Sequence, residues 1–261
     1  MWNPEQYSRF RDERSQPFFD LVGLVQPRPG MRIADLGCGP GELTRELHTG
    51  LQASETVGVD NSEAMLAKSH AFAGDGVSFE HADLREFAAC PASRRAFDLV
   101  LSNAALQWVP DQPAVLRDLT TMLAPDGQLA IQVPANQDQP SHATIRDIVG
   151  ESPFREALNN YVRRFSNLAP EAYATLLDKL GYRQQHVRLQ VYVHHLGSRA
   201  DVVEWVRGSI LTDYQKLMSP ELFAAFLERY RQRLMPQLED SQPFVYTFQR
   251  ILVWGRLSPP E

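Results

Sequence analysis

The residues best placed to do chemistry form one short run, Asp35-Leu36-Gly37-Cys38-Gly39-Pro40-Gly41-Glu42, which follows an apolar stretch. Three glycines at alternate positions let a backbone turn tightly and come close to a bound ligand. Asp60 follows nineteen residues beyond Gly41. An acid at that spacing, at the end of a second strand, can accept hydrogen bonds from ribose hydroxyls. The dinucleotide fingerprint is Gly-x-Gly-x-x-Gly, with pyrophosphate at the helix N-terminus. Here the pattern is Gly-x-Gly-x-Gly; Pro40 lacks an amide to face phosphate, and Glu42 is unwelcome beside a diphosphate. Together these features favour a nucleoside without phosphate.

Other candidates give less. Cys38 reads as a small residue in a tight loop rather than a nucleophile, and Cys90 lies in a polar loop. The two cysteines and the scattered histidines match no zinc spacing, so no metal is expected. The sequence contains no Gly-x-Ser-x-Gly elbow and no His-Glu-x-x-His pair. Asp98 reads as a structural acid at a strand start. Trp108 suits a core or a pocket wall equally.

The elements that must hold these residues alternate. Short apolar runs fall at 31–36, 55–60, 77–80, 97–102 and 128–133, with helical patterns between them. This order predicts a parallel sheet covered by helices. Over 62–72 a helix capped by Ser62 is expected, with Met65 and Leu66 facing inward. Gln112–Leu123 carries Val115, Leu116, Leu119 and Leu123 at helical spacing. Residues 141–181 read as helices ending at Gly181. A strand over 182–196 is expected from alternating Val187, Leu189, Val191 and Val193, two helices over 199–235, and a last strand over 244–255.

The chain has 261 residues, enough for one large core. With 43 % hydrophobic and 22 % charged residues it is an ordinary globular chain. Its formal net charge of −6 argues against nucleic acid as main substrate. A small-ligand pocket can still be locally positive. The two cysteines make no disulfide framework, and neither a signal-peptide pattern nor an apolar run of spanning length occurs. A cytoplasmic protein without membrane attachment is expected; the oligomeric state is left open.

At the glycine loop the chain resembles the class I S-adenosylmethionine-dependent methyltransferases. Asp35 with Gly37, Gly39 and Gly41 looks like their first motif. Asp60 looks like their ribose-binding acid, followed by Asn61, Ser62 and Met65. Asp83 and Leu84 look like the adenine-binding element, with Asp83 toward the exocyclic amine, and Asn103 like the stretch beneath the methionine part. The resemblance implies S-adenosyl-L-methionine as cofactor. It also implies an α/β fold: a Rossmann-like, mostly parallel seven-stranded sheet with helices on both faces and a helical cap in the C-terminal half. The expected division is an N-terminal lid helix at 1–28, a cofactor core at 29–140, and the rest of the sheet with the cap (199–235) at 141–261.

Further segments resemble the trans-aconitate 2-methyltransferases: Trp2-Asn3-Pro4 through Pro17, Ser102–Pro110, Gln132–Asn136, Pro140-Ser141-His142, His194-His195 and Glu204–Ser209. The chain departs from that family at Ile210-Leu211-Thr212-Asp213-Tyr214, which has an acid and no proline. This resemblance implies a small-molecule carboxylate as methyl acceptor. An ionised carboxylate needs no general base, only orientation by positive or hydrogen-bonding groups. The candidates are Arg11, Arg14, His142, His194 and Arg207, with Tyr7 and Trp108 as pocket walls. If the acceptor is a phenol, amine or thiol instead, a base is needed, and His142 or His195 would serve. A binding module without turnover and an NAD-dependent oxidoreductase are the alternatives from other classes.

Overall fold

The computed structural model describes residues 11–163, 165–208 and 210–257. Five parallel strands, β1 (Arg32–Leu36), β2 (Glu55–Asp60), β3 (Val77–His81), β4 (Phe97–Asn103) and β5 (Leu123–Pro134), are joined by β6 (Tyr182–Leu196) and β7 (Phe244–Leu257). Their order in the sheet is β3-β2-β1-β4-β5-β7-β6. β7 runs antiparallel to β5, with Gln128 opposite Arg256 and Pro134 opposite Arg250. The sheet is thus mixed, mostly parallel and Rossmann-like.

The chain first builds outward from β1 to β3, then returns to the other side of β1 for β4. That reversal opens a crevice at the carboxyl ends of β1 and β4, where such sheets bind ligands. Both parities of the central strands are buried. Ile33, Leu99, Leu101 and Leu252 pack with Phe18 and Leu21 of α1 (Arg11–Val22) and Leu47 of α2 (Glu42–Gly50). Their neighbours Ala34, Val100, Leu129 and Val253 are equally inaccessible. Strands with no solvent face must be covered by helices on both sides.

The chain forms two compact units. One holds Ser15–Pro134, Ser166–Gln190 and the chain from Arg250 onward; the other includes Ala135–Phe165 and Val191–Gln249. The first contains α2, α3 (Glu63–Ser69), α4 (Leu84–Ala89), α5 (Gln112–Met122) and α8 (Pro170–Lys179). The second contains α6 (Pro140–Val149), α7 (Phe154–Ala157), α9 (Asp201–Arg207), α10 (Leu211–Leu217) and α11 (Pro220–Leu234). Its core gathers Ile148, Phe154, Val202, Phe226 and Tyr230. The helices of 140–157 therefore share a core with those of 201–234.

Several expectations are corrected. The described residues of 158–169 are not helical: Asn159 and Asn160 take left-handed φ of 49° and 61°, a conformation asparagine tolerates, and the helix stops there. Three helices rather than two fill 201–234, broken at Gly208 and again before Ser219-Pro220, where the Ser219 hydroxyl caps α11. On β6 the apolar set faces outward: Leu189, Val191 and Val193 are 48 %, 45 % and 54 % exposed, while Tyr192, His194 and Leu196 are buried. Met65 does not join Leu66 in the core. Of the lid expected at 1–28, residues 1–10 lie outside the described residues, and Phe18 and Leu21 belong to the sheet core. Among the described residues no helix is long and apolar enough to cross a membrane.

Candidate active site

The sheet unit holds a cavity of about 390 Å³ at the crevice. Each wall comes from the end of a different parallel strand: Gly37 and Gly39 after β1, Asp60 to Met65 after β2, Ala82 to Arg85 after β3, and Ala104 to Pro110 after β4. The turn after β1 needs its glycines. Gly37, Gly39 and Gly41 all have positive φ, of 80°, 58° and 83°. A Cβ on Gly37 would lie 2.2 Å from that of Ala105, and one on Gly41 would meet the Phe79 ring at 2.6 Å. Gly39 has nothing within 4 Å on that side. Gly37 and Gly41 thus allow close packing of the loop, whereas Gly39 leaves open room.

Asp60 organises the opposite wall. Its Oδ2 accepts the Gly39 amide at 2.9 Å and its Oδ1 the Ser62 amide at 2.8 Å. A carboxylate has about four lone-pair positions, so two remain for other donors. Asp83 caps α4 by accepting the Arg85 amide, and it also pairs with the Arg85 guanidinium at 3.1 Å. Arg85 holds the Asp83 carboxyl below its usual range. Trp108 sits on a single 3-10 turn, Leu106–Trp108, and is 48 % exposed. That turn is tied down from below: Gln112 donates to the Leu106 carbonyl at 2.6 Å and accepts from Tyr173 of α8 at 3.0 Å.

Of the residues singled out from the sequence, Gly37, Gly39, Asp60, Asn61, Ser62, Met65, Asp83, Leu84 and Trp108 line this cavity. Three do not. Asp35 is buried beneath the loop and accepts the Thr44 hydroxyl at 2.6 Å. Burial raises its carboxyl to about 6, against the opposing Thr44 bond, and the nearby Asp60 adds to the rise. Gly41 ends the loop at α2, and Asn103 accepts from Gln132 at 2.9 Å. Ala104, which with Asn103 resembles the stretch beneath the methionine part, lines the cavity too, as do Arg85 and Ala105, which only adjacency to Asp83 and Asn103 could have signalled. Cys38 is buried, and burial first of all pushes its thiol well up, which suits a packing role.

The cavity fits S-adenosylmethionine. The open side of Gly39 admits a ligand, Asp60 keeps acceptor capacity for ribose hydroxyls, and Met65 and Leu84 give apolar flanks.

In the helical unit, His142 and His194 each lie near Phe248, with ring centroids at 6.3 and 6.5 Å. Trp205 lies against His194 at 4.7 Å. His195, next on β6, is exposed. Arg207 pairs with Glu204 one turn away at 3.6 Å. Asp213, the unexpected acid, is met by Arg163 at 3.3 Å. Arg163 also donates to the Ile210 carbonyl. Arg11 falls at the start of α1 and Arg14 one turn on, but their side chains, like all of Tyr7, lie outside the described residues. Among the described residues no group of three His, Cys, Asp or Glu could hold a metal.

Residues 27–162 match the family model described as a methyltransferase domain. A trans-aconitate 2-methyltransferase of Deinococcus radiodurans is 38 % identical over 257 residues, covering 96 % of each chain. One from Variovorax paradoxus is 35 % identical, covering 98 % of this chain and 96 % of its own. Among solved structures, the YcgJ protein of Bacillus subtilis shares the fold with a TM-score of 0.60 at 17 % identity, over 94 % of this chain and 99 % of that one. The chain belongs to the trans-aconitate 2-methyltransferase family of S-adenosylmethionine-dependent methyltransferases. It is an enzyme of that class, and S-adenosylmethionine is its cofactor.

Proposed function

We propose that this enzyme methylates a carboxylate oxygen of trans-aconitate or a closely similar small polycarboxylate. The observation that carries this reading is the similarity to relatives named for trans-aconitate. It extends over 96 to 98 % of this chain at 35 to 38 % identity, so it takes in the helical unit as well as the cofactor fold.

When bound, S-adenosylmethionine supplies a methyl group already activated on a sulfonium. Asp60 would hold the ribose hydroxyls through the lone pairs that Gly39 and Ser62 leave unused, and Asp83, fixed by Arg85, would face the adenine amine. Asn61, Ser62, Met65 and Leu84 would complete the contacts, with Gly37 and Gly39 giving room and Asp35, Gly41 and Asn103 shaping the loops. A carboxylate with an ordinary pKa near 4 is ionised at neutral pH, so it attacks without losing a proton. The protein then has to orient it and exclude water. His142 and His194, both buried in the helical unit, are the proposed groups for that orientation. Arg11, Arg14 and Arg207 could add charge, and Tyr7 and Trp108 walls. Paired to Arg163, Asp213 carries less repulsion toward an anion than a lone acid would. His142 would be a base only for a protonated acceptor, and His195 is on the outward face of β6. With a net charge of −6 and no spanning helix among the described residues, the proposed setting is the cytoplasm and the proposed partner a free small molecule rather than nucleic acid.

The test is a transfer assay with methyl-labelled S-adenosylmethionine, trans-aconitate and a panel of polycarboxylates, phenols and amines. The expected product is a monomethyl ester. Transfer to a neutral acceptor with none to any polycarboxylate would reject the reading.

A further inference from the structure

We propose that Gln107 is a positioning residue for the cofactor: its buried carboxamide clamps the carbonyl of Ala104, and with it the stretch of cavity wall that meets the methionine part of S-adenosylmethionine. This rests on the reading of Asn103 and Ala104 as the stretch beneath the methionine part, and not on the identity of the acceptor.

Ala104 is the first residue beyond β4 and lines the cavity of the sheet unit. Its φ is 54°, in the left-handed region that an alanine side chain disfavours. Left alone, this segment would relax toward a commoner conformation and the wall would move with it. Two bonds oppose that. The Ala104 amide donates to the Gln132 carbonyl of β5 at 2.9 Å. The Ala104 carbonyl accepts from Gln107 Nε2 at 2.5 Å. The peptide groups on both sides of the strained Cα are therefore tied, one by a strand and one by a side chain.

The clamp is itself anchored. Gln107 is the middle residue of the 3-10 turn Leu106–Trp108 and is 3 % exposed. Gln112 holds that turn at the Leu106 carbonyl and is held in turn by Tyr173. Only the amide nitrogen of a carboxamide can face a carbonyl, so Gln107 has one orientation there. Its Oε1 is then buried with no partner among the described residues. An unsatisfied buried oxygen is costly. A methionine at 107 would remove that cost, and a glycine at 104 would remove the backbone cost. The chain carries both, three residues apart, in one loop of the cavity wall. Neither cost serves the stability of the fold. Local costs of this kind mark places where a functional geometry is held by its surroundings.

The adenine and ribose contacts proposed above come from the segments after β2 and β3, so they do not pass through Gln107. Loss of the clamp should therefore be felt only by a ligand that carries the amino-acid part. Calorimetry with two ligands tests this: S-adenosylhomocysteine, which carries that part, and methylthioadenosine, which shares the nucleoside and lacks it. Gln107→Met keeps the bulk and removes the donor. It should bind S-adenosylhomocysteine about tenfold more weakly, the upper range for loss of one hydrogen bond. Methylthioadenosine should stay within about twofold of wild type. Adding Ala104→Gly, which takes the left-handed conformation without a side-chain penalty, should recover part of the lost affinity. Equal weakening of both ligands would make Gln107 a general support of the site and overturn the proposal, as would unchanged affinity for both. A wild-type measurement covers a variant that does not fold. In the free protein with 15N-labelled glutamine, the Gln107 side-chain proton bonded to Ala104 should exchange slowly with solvent, and fast exchange overturns the clamp. Equal wild-type affinity for the two ligands would overturn the methionine reading on which the proposal rests. No acceptor enters these measurements, so a failure here and a failure of the acceptor reading are told apart.

Discussion

Asp60 and Gly39 hold each other: the carboxylate at the end of β2 accepts the amide of the loop after β1 at 2.9 Å. The acid proposed for the ribose is thus also a strut of the glycine loop. Asp60→Ala should weaken S-adenosylmethionine binding at least tenfold, about 1.4 kcal/mol, as read by calorimetry. An unchanged affinity would remove Asp60 from both roles.

Gly37 meets two constraints at once, a φ of 80° and a neighbour that leaves no room for a Cβ. A left-handed non-glycine residue costs roughly 1–2 kcal/mol and forced overpacking roughly 1–3 kcal/mol. Gly37→Ala should therefore lower the unfolding free energy by about 2–5 kcal/mol. Adding Ala105→Gly should recover only the steric part. Complete recovery in urea denaturation would show that the backbone is not strained there.

Asp35 should make stability depend on pH in an unusual direction. Its folded carboxyl is raised to about 6, against 3.8 for a free aspartate, chiefly because it is buried. Between those values the folded state keeps a proton that the unfolded chain releases, so stability falls as pH rises through the window. The full effect is about 3 kcal/mol by linkage. Asp35→Asn, which can still accept from Thr44, should lack this fall and exceed the wild type in stability at pH 7. Identical slopes for the two proteins between pH 4 and 6 would refute it.

His194 and His195 are sequence neighbours on opposite faces of β6, one buried and one exposed. His194→Ala should raise the acceptor KM several-fold or more. His195→Ala should leave kcat and KM within about twofold, as surface changes commonly do. A loss of kcat in His195→Ala would instead restore a base to the mechanism.

Trp108 is half exposed on the cavity wall. Its fluorescence should change when S-adenosylmethionine binds, and Trp108→Phe should remove most of that change. A full signal in the variant would assign it to Trp2, Trp205 or Trp254.

The cofactor side was legible because local rules govern it. Glycines at positive φ, a strand before them and an acid at the next strand end are all written within about thirty residues. The rest depends on partners far apart in the chain. The alternation of Val187, Leu189, Val191 and Val193 announced a strand but not which face the fold would cover, since a period of two is symmetric between faces. Asp213 is paired with Arg163, fifty residues earlier, a contact that no local spacing announces.

The division into two units has a consequence for descent. The chain passes from one unit to the other between Arg14 and Ser15, Pro134 and Ala135, Phe165 and Ser166, Gln190 and Val191, and Gln249 and Arg250. No single cut or fusion point can therefore separate them, and recombination cannot graft one helical unit in place of another as a continuous block. Exchange of the helical unit would need several coordinated crossovers, whereas substitutions within it need none.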